Sequence, residues 1–326
     1  MNHTDSLKAA IFAVMASVLG SPASAQTKWN LPAAYAATNY HTENLVQFSK
    51  DVAAATGGKL DIVVHANAAL FKAPEIKRAV ATGQAQVGEV LISLHENENA
   101  LFGIDVVPFL AASFTDAKKL WTVSKAPIAK ALDSQGLMLL FGVPWPPQGI
   151  YAKKEINSVA DMRGLKWRAY NVGTTRIAEI VGAQPLTIQA AELPQALATG
   201  VVDSFVSSGA TGYDSKVWET LTHHYDTNAW LPKNLTFVNK AAFAALDKPT
   251  QEAVLKAAAE AETRGWKIAE EKTQWYLKEL AAKGMKVLPP SPALKDGLAK
   301  IGEQLTADWL KRAGAEGQAV VDAFKK

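Results

Sequence analysis

From Trp29 onward the apolar positions switch repeatedly between a period of two and a period near 3.6. Trp29 to Tyr35, Leu60 to His65 and Gln86 to Leu91 carry the alternation or β-branched density of strands. Between them Leu45, Phe48, Val52 and Ala53 share one helical face over His41 to Thr56, closed by Gly57-Gly58, and Pro74 opens a second helix that runs to Thr82. The order β-α-β-α-β predicts a mostly parallel sheet covered on both faces.

Pro144-Trp-Pro-Pro147 follows a strand over Gly136 to Val143, and its prolines stiffen the chain as a crossover into a second lobe. Beyond it the alternation restarts: strands over Leu165 to Tyr170, Gln184 to Ile188 and Val202 to Val206, helices over Gly173 to Val181 and Ala191 to Thr199. Leu231-Pro-Lys-Asn234 turns the chain back into an extended Leu235 to Asn239. Pro249 to Leu280 reads as one nearly unbroken helix with Val254, Ala258, Ala261, Ile268 and Tyr276 inward; about 30 residues reach roughly 45 Å, enough to lie across both lobes. A last helical region runs from Pro292 to Phe324. The expected fold class is α/β with two lobes, hinge strands and a lobe-spanning helix: residues 26–146 and about 233–273 form lobe I, residues 147–232 and about 274–326 form lobe II.

The first 25 residues stand apart. Lys8, an apolar run from Ala9 to Leu19 and Ser21-Pro-Ala-Ser-Ala25 have the grammar of a secretory signal peptide cleaved after Ala25, and the apolar run is too short to span a membrane. The expected compartment is the periplasm. Zero cysteines exclude disulfides, thiolate metal sites and cysteine nucleophiles, so the core alone must hold the fold. The net charge of +3 is spread over helix faces without a basic run interleaved with aromatics, which argues against nucleic acid and mildly favours small anions.

Few residues advertise chemistry. No two of the six histidines sit three or four apart, so neither His95-Glu-Asn-Glu-Asn99 nor His223-His224, read as the end of a surface helix, makes a zinc site, and no metal or cofactor is expected. Gly57-Gly-Lys59 is not a phosphate loop, and Ser207-Ser-Gly209 is not a nucleophile elbow. What remains is Arg168, alternating with Trp167 and Ala169 near the carboxyl end of a strand, where open α/β sheets keep their ligand crevice. A buried guanidinium is costly unless paired, so Arg168 awaits either an anionic ligand or a structural carboxylate such as Glu192 or Asp203. Trp145, Tyr40, Phe71, Tyr170 and Phe205 are the aromatics placed to line such a crevice.

Several blocks in order resemble the periplasmic solute-binding subunit of tripartite ATP-independent periplasmic (TRAP) transporters, the DctP-type family. They are the opening strand and helix, Thr56-Gly-Gly-Lys59, the helix Glu75 to Gly83, Ile156 through Gly164-Leu-Lys-Trp-Arg168, Gly182-Ala-Gln-Pro185, Glu192 through Gly200-Val-Val-Asp203, and the long helix. The resemblance implies a type II-like two-lobe periplasmic binding protein that closes by hinge motion, with Arg168 receiving a ligand carboxylate in a two-pronged ion pair. It further implies a monomer that performs no chemistry and delivers an organic acid to a membrane permease driven by a sodium gradient.

Two departures shape the ligand. Gln148 stands where sialic-acid members carry a second arginine, and Phe205-Val-Ser-Ser208 where many members have Gln-Glu-Asn-Pro. Both remove polar recognition from the ligand's far end, which points to a monocarboxylate with an apolar or aromatic body, or a 2-oxo acid. Asn39, Asn171, Gln148 and Ser207 are candidate donors, and Glu89 and His95 are candidates from lobe I. Two rival classes remain: a secreted hydrolase or isomerase using Glu89, His95 or Glu192 as base, and a receptor that signals to a histidine kinase.

Overall fold

The computed structural model describes residues 26–326, so the expected signal peptide lies outside the described residues. The first lobe opens with β1 (Thr27–Pro32), α1 (Tyr40–Ala55), β2 (Leu60–His65), α2 (Ala73–Ala81) and β3 (Val87–Leu91), close to the predicted pattern. α3 (Phe114–Asp133), to which the hydrophobic pattern assigned nothing, starts at a Ser113 cap whose hydroxyl accepts from Asp116 N at 3.1 Å. β4 (Leu137–Pro144) then leads directly into β5 (Gln148–Ala152) of the second lobe. There follow β6 (Lys166–Ala169), α4 (Val172–Val181), β7 (Gln184–Thr187), α5 (Leu193–Ala198), β8 (Ser204–Ser208), α6 (Gly209–Asp214) and β9 (His223–Tyr225). β10 (Lys233–Asn239) returns to the first lobe, and α7 (Lys240–Ala244), α8 (Lys248–Ala282), β11 (Lys286–Leu288) and α9 (Pro292–Lys325) complete the chain.

The sheets are more mixed than the βαβ pattern predicts. β1 and β2 are parallel and join β3 through an Ala33–Glu89 bridge, but β10 inserts antiparallel between β3 and β4. In the second sheet, ordered β11-β9-β5-β8-β6-β7, β6 is parallel to β7 and β8, while β5 is antiparallel to β8 and β9. The antiparallel members β5 and β10 are the strands that have just crossed from the other lobe. A strand entering from outside needs no right-handed crossover helix, so its direction is free. The two crossovers hydrogen-bond each other: Trp145 N donates to Pro232 O at 2.8 Å, Gln148 N to Trp230 O at 3.0 Å, and Ala229 N to Gln148 O at 3.0 Å.

α8 confirms the predicted long helix and packs on α1 and β4 at one end and on α6 and β11 at the other. It can lie on β4 because residue 265 is glycine: a Cβ there would stand 2.5 Å from Val143. α9, expected wholly in lobe II, serves both lobes. Leu294, Leu298 and Ile301 join a core with Trp167, whereas Trp309, Val320 and Val321 join Ile76, Leu120 and Trp121 of the first lobe. Its apolar stripe continues past a break at Gly314 (φ 59°), and burying that second half requires the opposite lobe. His223-His224 is likewise not a helix end but β9, with both side chains buried, because the strand is covered in the sheet between β5 and β11. Among the described residues no helix is long and apolar enough to cross a membrane.

Candidate functional site

β6 is four residues long, and its alternation decides the site. Trp167 and Ala169 are fully buried on one face, Trp167 Nε1 donating to Thr174 O at 3.1 Å, which sends Arg168 to the other face at the carboxyl end of the sheet. Arg168 is only 3% exposed. Its Nε donates to Ile188 O at 2.8 Å and its guanidinium carbon lies 4.8 Å from the centroid of the Tyr170 ring. No other protein hydrogen bond reaches it among the described residues, and no carboxylate lies within salt-bridge distance. Both structural candidates are engaged elsewhere: Glu192 faces Lys72 at 3.9 Å, and Asp203 Oδ1 accepts from Lys166 N at 2.9 Å. Burial without a counter-ion holds the guanidinium down at about 10, with the Tyr170 and Tyr35 phenols opposing the shift.

The guanidinium faces a narrow, partly open cleft between the lobes. Tyr35 and Leu91 contribute from the first lobe, Trp145 and Pro232 from the crossovers, and Gln148, Tyr170, Gln189, Ala190, Ser207 and Thr211 from the second lobe. Arg168 is the sole charged residue in this lining among the described residues. A larger depression lies between α4, α9 and Val106 to Pro108. Its rim charges are already paired, Arg176 with Glu179, Lys311 with Asp308 and Arg312 with Glu96, so no unpaired buried ion asks for a ligand there.

Five of the candidate residues therefore meet: Trp145, Gln148, Arg168, Tyr170 and Ser207. Trp145 Nε1 donates to Asn234 Oδ1 at 2.8 Å, and its ring meets Tyr35 edge-on at 4.8 Å. Gln148 Nε2 donates to Pro146 O at 2.9 Å, and its Oε1 accepts from the Tyr170 hydroxyl at 3.3 Å. Burial pushes both the Tyr35 and Tyr170 phenols up, so each keeps its proton as a donor.

The other candidates lie elsewhere. Phe205 is fully buried two residues before Ser207, stacked on Tyr151 at 4.6 Å in a separate core with Leu193. Tyr40 is buried, its hydroxyl donating to Pro144 O at 2.5 Å. Asn39 caps α1 by accepting from His41 N at 2.8 Å and donates Nδ2 to Asp214 at 2.6 Å. Asn171 caps α4 and reaches across the lobes, donating Nδ2 to Ser93 Oγ at 2.9 Å. Glu89 sits behind the lining, accepting from Asn234 Nδ2 at 2.6 Å and facing His41 Nδ1 at 3.4 Å, too poorly aligned for a strong hydrogen bond. His95 belongs to a distinct group, with Nδ1 3.0 Å from Glu98 and Lys77 on the same carboxylate. Burial and Lys77 push that imidazole down. None of Glu89, His95 and Glu192 reaches the cavity as a base, and no three acidic, His or Cys groups are placed to hold a metal among the described residues.

The sequence reading missed Tyr35, Leu91, Gln189, Ala190, Thr211 and Pro232. Leu91 ends β3, Gln189 and Ala190 follow β7, and Thr211 follows β8. The carboxyl-end rule that selected Arg168 would have selected these positions too.

Comparison with known proteins places this geometry. The profile of the family described as bacterial extracellular solute-binding protein, family 7 (DctP), matches residues 33–312. An extracytoplasmic solute receptor of Bordetella pertussis binding pyroglutamic acid is 55% identical, with 92% of this chain and 99% of that chain covered at a TM-score of 0.90. A TRAP solute-binding protein from a marine metagenome, specific for pyroglutamate, is 48% identical over 92% of this chain and 99% of that one, with a TM-score of 0.91. The outer membrane transporter protein TsaT of Comamonas testosteroni is 27% identical over 63% of this chain, and the chain spans 63% of its length.

Proposed function

Because the chain belongs to the bacterial extracellular solute-binding protein family 7, whose structural neighbours are receptors and not enzymes, we propose that it captures pyroglutamate in the cavity at Arg168. The observation that carries this reading is a buried guanidinium, without a carboxylate partner, in a cavity that holds no second cation among the described residues. A bidentate carboxylate supplies the missing charge. A dicarboxylate would bury its second charge unpaired, at a cost of several kcal/mol. The two relatives near half identity bind pyroglutamate, a compact cyclic monocarboxylate.

Aromatic and branched monocarboxylates and 2-oxo acids rank second. The Trp145, Tyr35 and Tyr170 rings favour an apolar body, but Phe205 does not extend the cavity to receive a large one. The wider reading is a periplasmic monomer, freed of residues 1–25, that carries one ligand to a sodium-coupled TRAP permease. In this reading residues 26–146 and about 233–273 move as lobe I, with the second half of α9, against residues 147–232 and about 274–305. Titration calorimetry of residues 26–326 with L-pyroglutamate, phenylpyruvate, succinate and sialic acid tests the ligand. One-to-one binding of pyroglutamate with no heat from succinate is expected, and stoichiometric succinate binding with none of pyroglutamate overturns it.

A further inference from the structure

Trp230 stands just before the second crossover, 2% exposed and outside the cavity lining. Its Nε1 donates to the Tyr170 hydroxyl oxygen at 3.3 Å, and that hydroxyl donates to Gln148 Oε1 at 3.3 Å. Gln148 Nε2 donates in turn to Pro146 O at 2.9 Å. Both ends of this relay are single-valued. An indole nitrogen only donates and a proline carbonyl only accepts, so the Tyr170 oxygen must receive the indole proton and direct its own toward Gln148. The atom that Gln148 turns to Tyr170 is then its oxygen, and the amide is held in one of its two flips.

We infer that Trp230 is a positioning residue that sets ligand selectivity by fixing, through Tyr170, the amide of Gln148. The inference rests on the pyroglutamate reading. Held this way, Gln148 keeps one N–H and one oxygen lone pair free, the complement of a lactam's carbonyl and N–H. Arg168 takes the carboxylate and Gln148 reads the ring amide. The relay lies within the second lobe and its crossovers, as the backbone pairing of Gln148 with Trp230 at 3.0 Å requires, so it exists before the lobes close. Tyr170 serves both halves, since its ring lies 4.8 Å beneath the Arg168 guanidinium carbon.

The test compares L-pyroglutamate with cyclopentanecarboxylate, which has the same ring size and carboxylate without the amide. In Trp230→Phe, calorimetry should show pyroglutamate weakened roughly tenfold and cyclopentanecarboxylate changed less than about twofold. Tyr170→Phe keeps the ring under Arg168 and should weaken pyroglutamate as much as Trp230→Phe, the double variant being no worse than either single one. Equal losses for both ligands, or additive losses in the double variant, overturn the relay and leave Trp230 as core. Failure of the unaltered protein to bind pyroglutamate sinks the functional reading alone. The Gln148 side-chain amide resonances of the ligand-free protein then decide the relay: both variants should move them together, and unmoved resonances overturn it.

Discussion

Replacing Arg168 with methionine separates what the guanidinium costs the empty protein from what it contributes to the complex. The side chain is 3% exposed without a carboxylate, and burial holds it down at about 10, below the usual guanidinium range. At about 1.4 kcal/mol per pKa unit this is on the order of 3 kcal/mol of destabilisation in the folded state. The sign follows from proton counts. A cation whose folded value lies below its unfolded value is charged in both states under pH 10, so the penalty is present and constant across neutral pH and fades only above about 10. Methionine keeps an unbranched stem out to about the position of Nε and removes the penalty, but it strands the Ile188 carbonyl that Nε held at 2.8 Å, costing about 1–3 kcal/mol. The ligand-free variant should therefore melt level with the parent or a few degrees above it. Binding should collapse, because two charge-assisted hydrogen bonds of about 1.5–3 kcal/mol each are lost, or roughly 10²–10⁴-fold in Kd. Arg168→Lys, keeping the charge but not the fork, should lose about one such bond. Scanning calorimetry of the empty proteins and titration calorimetry with pyroglutamate read both effects. An affinity near the parent's, or a ligand-free Tm lower by more than about 5 °C, would show that Arg168 is structural and refute the reasoning.

Three further outcomes are expected. His224 is buried and held down to about 3 by burial, against about 6.5 for a free imidazole, so the unfolded chain takes up the proton first and stability falls as the pH drops from 6.5 toward 3. His224→Phe, which keeps a flat ring against Tyr151, should flatten that fall, and urea midpoints at pH 7, 5 and 4 that track the parent would disprove it. Ser93→Ala removes the cross-lobe acceptor of Asn171 Nδ2 at 2.9 Å while leaving the α4 cap intact, so ligand should leave roughly 2–10-fold faster with an unchanged association rate; stopped-flow traces showing the reverse split would exclude a closing contact. Lys233 pairs with Asp105 at 3.3 Å, both nearly inaccessible, and Lys233→Met should cost about 3–5 kcal/mol by leaving a buried carboxylate unpaired. An unchanged urea midpoint would show that Asp105 is already neutral in the parent.

Much of this architecture is written in local pattern. The long α8 follows from a sustained apolar stripe behind Asp247 and Pro249, and the first crossover from three prolines around Trp145. Arg168 is legible because alternation over four residues sends it opposite Trp167, at a strand end where such sheets bind. These features depend on neighbours within a turn or a strand, which the chain carries with it. What covers each face does not. β10 enters the first sheet from the second lobe and turns its pairing antiparallel, and the second half of α9 crosses back to bury Trp309 against residues some 200 positions earlier. Ser207 and Phe205 share a strand and a face, yet one lines the cavity and the other stacks on Tyr151, because the β5 residue opposite Phe205 is Tyr151 whereas the one opposite Ser207 is Gly149, which has no side chain to pack there. Composition and period decided that there would be two lobes with a cation between them. Which side chains meet that cation depended on packing between segments far apart in the chain, because burial is set by whatever arrives from across the cleft and no local period records its arrival.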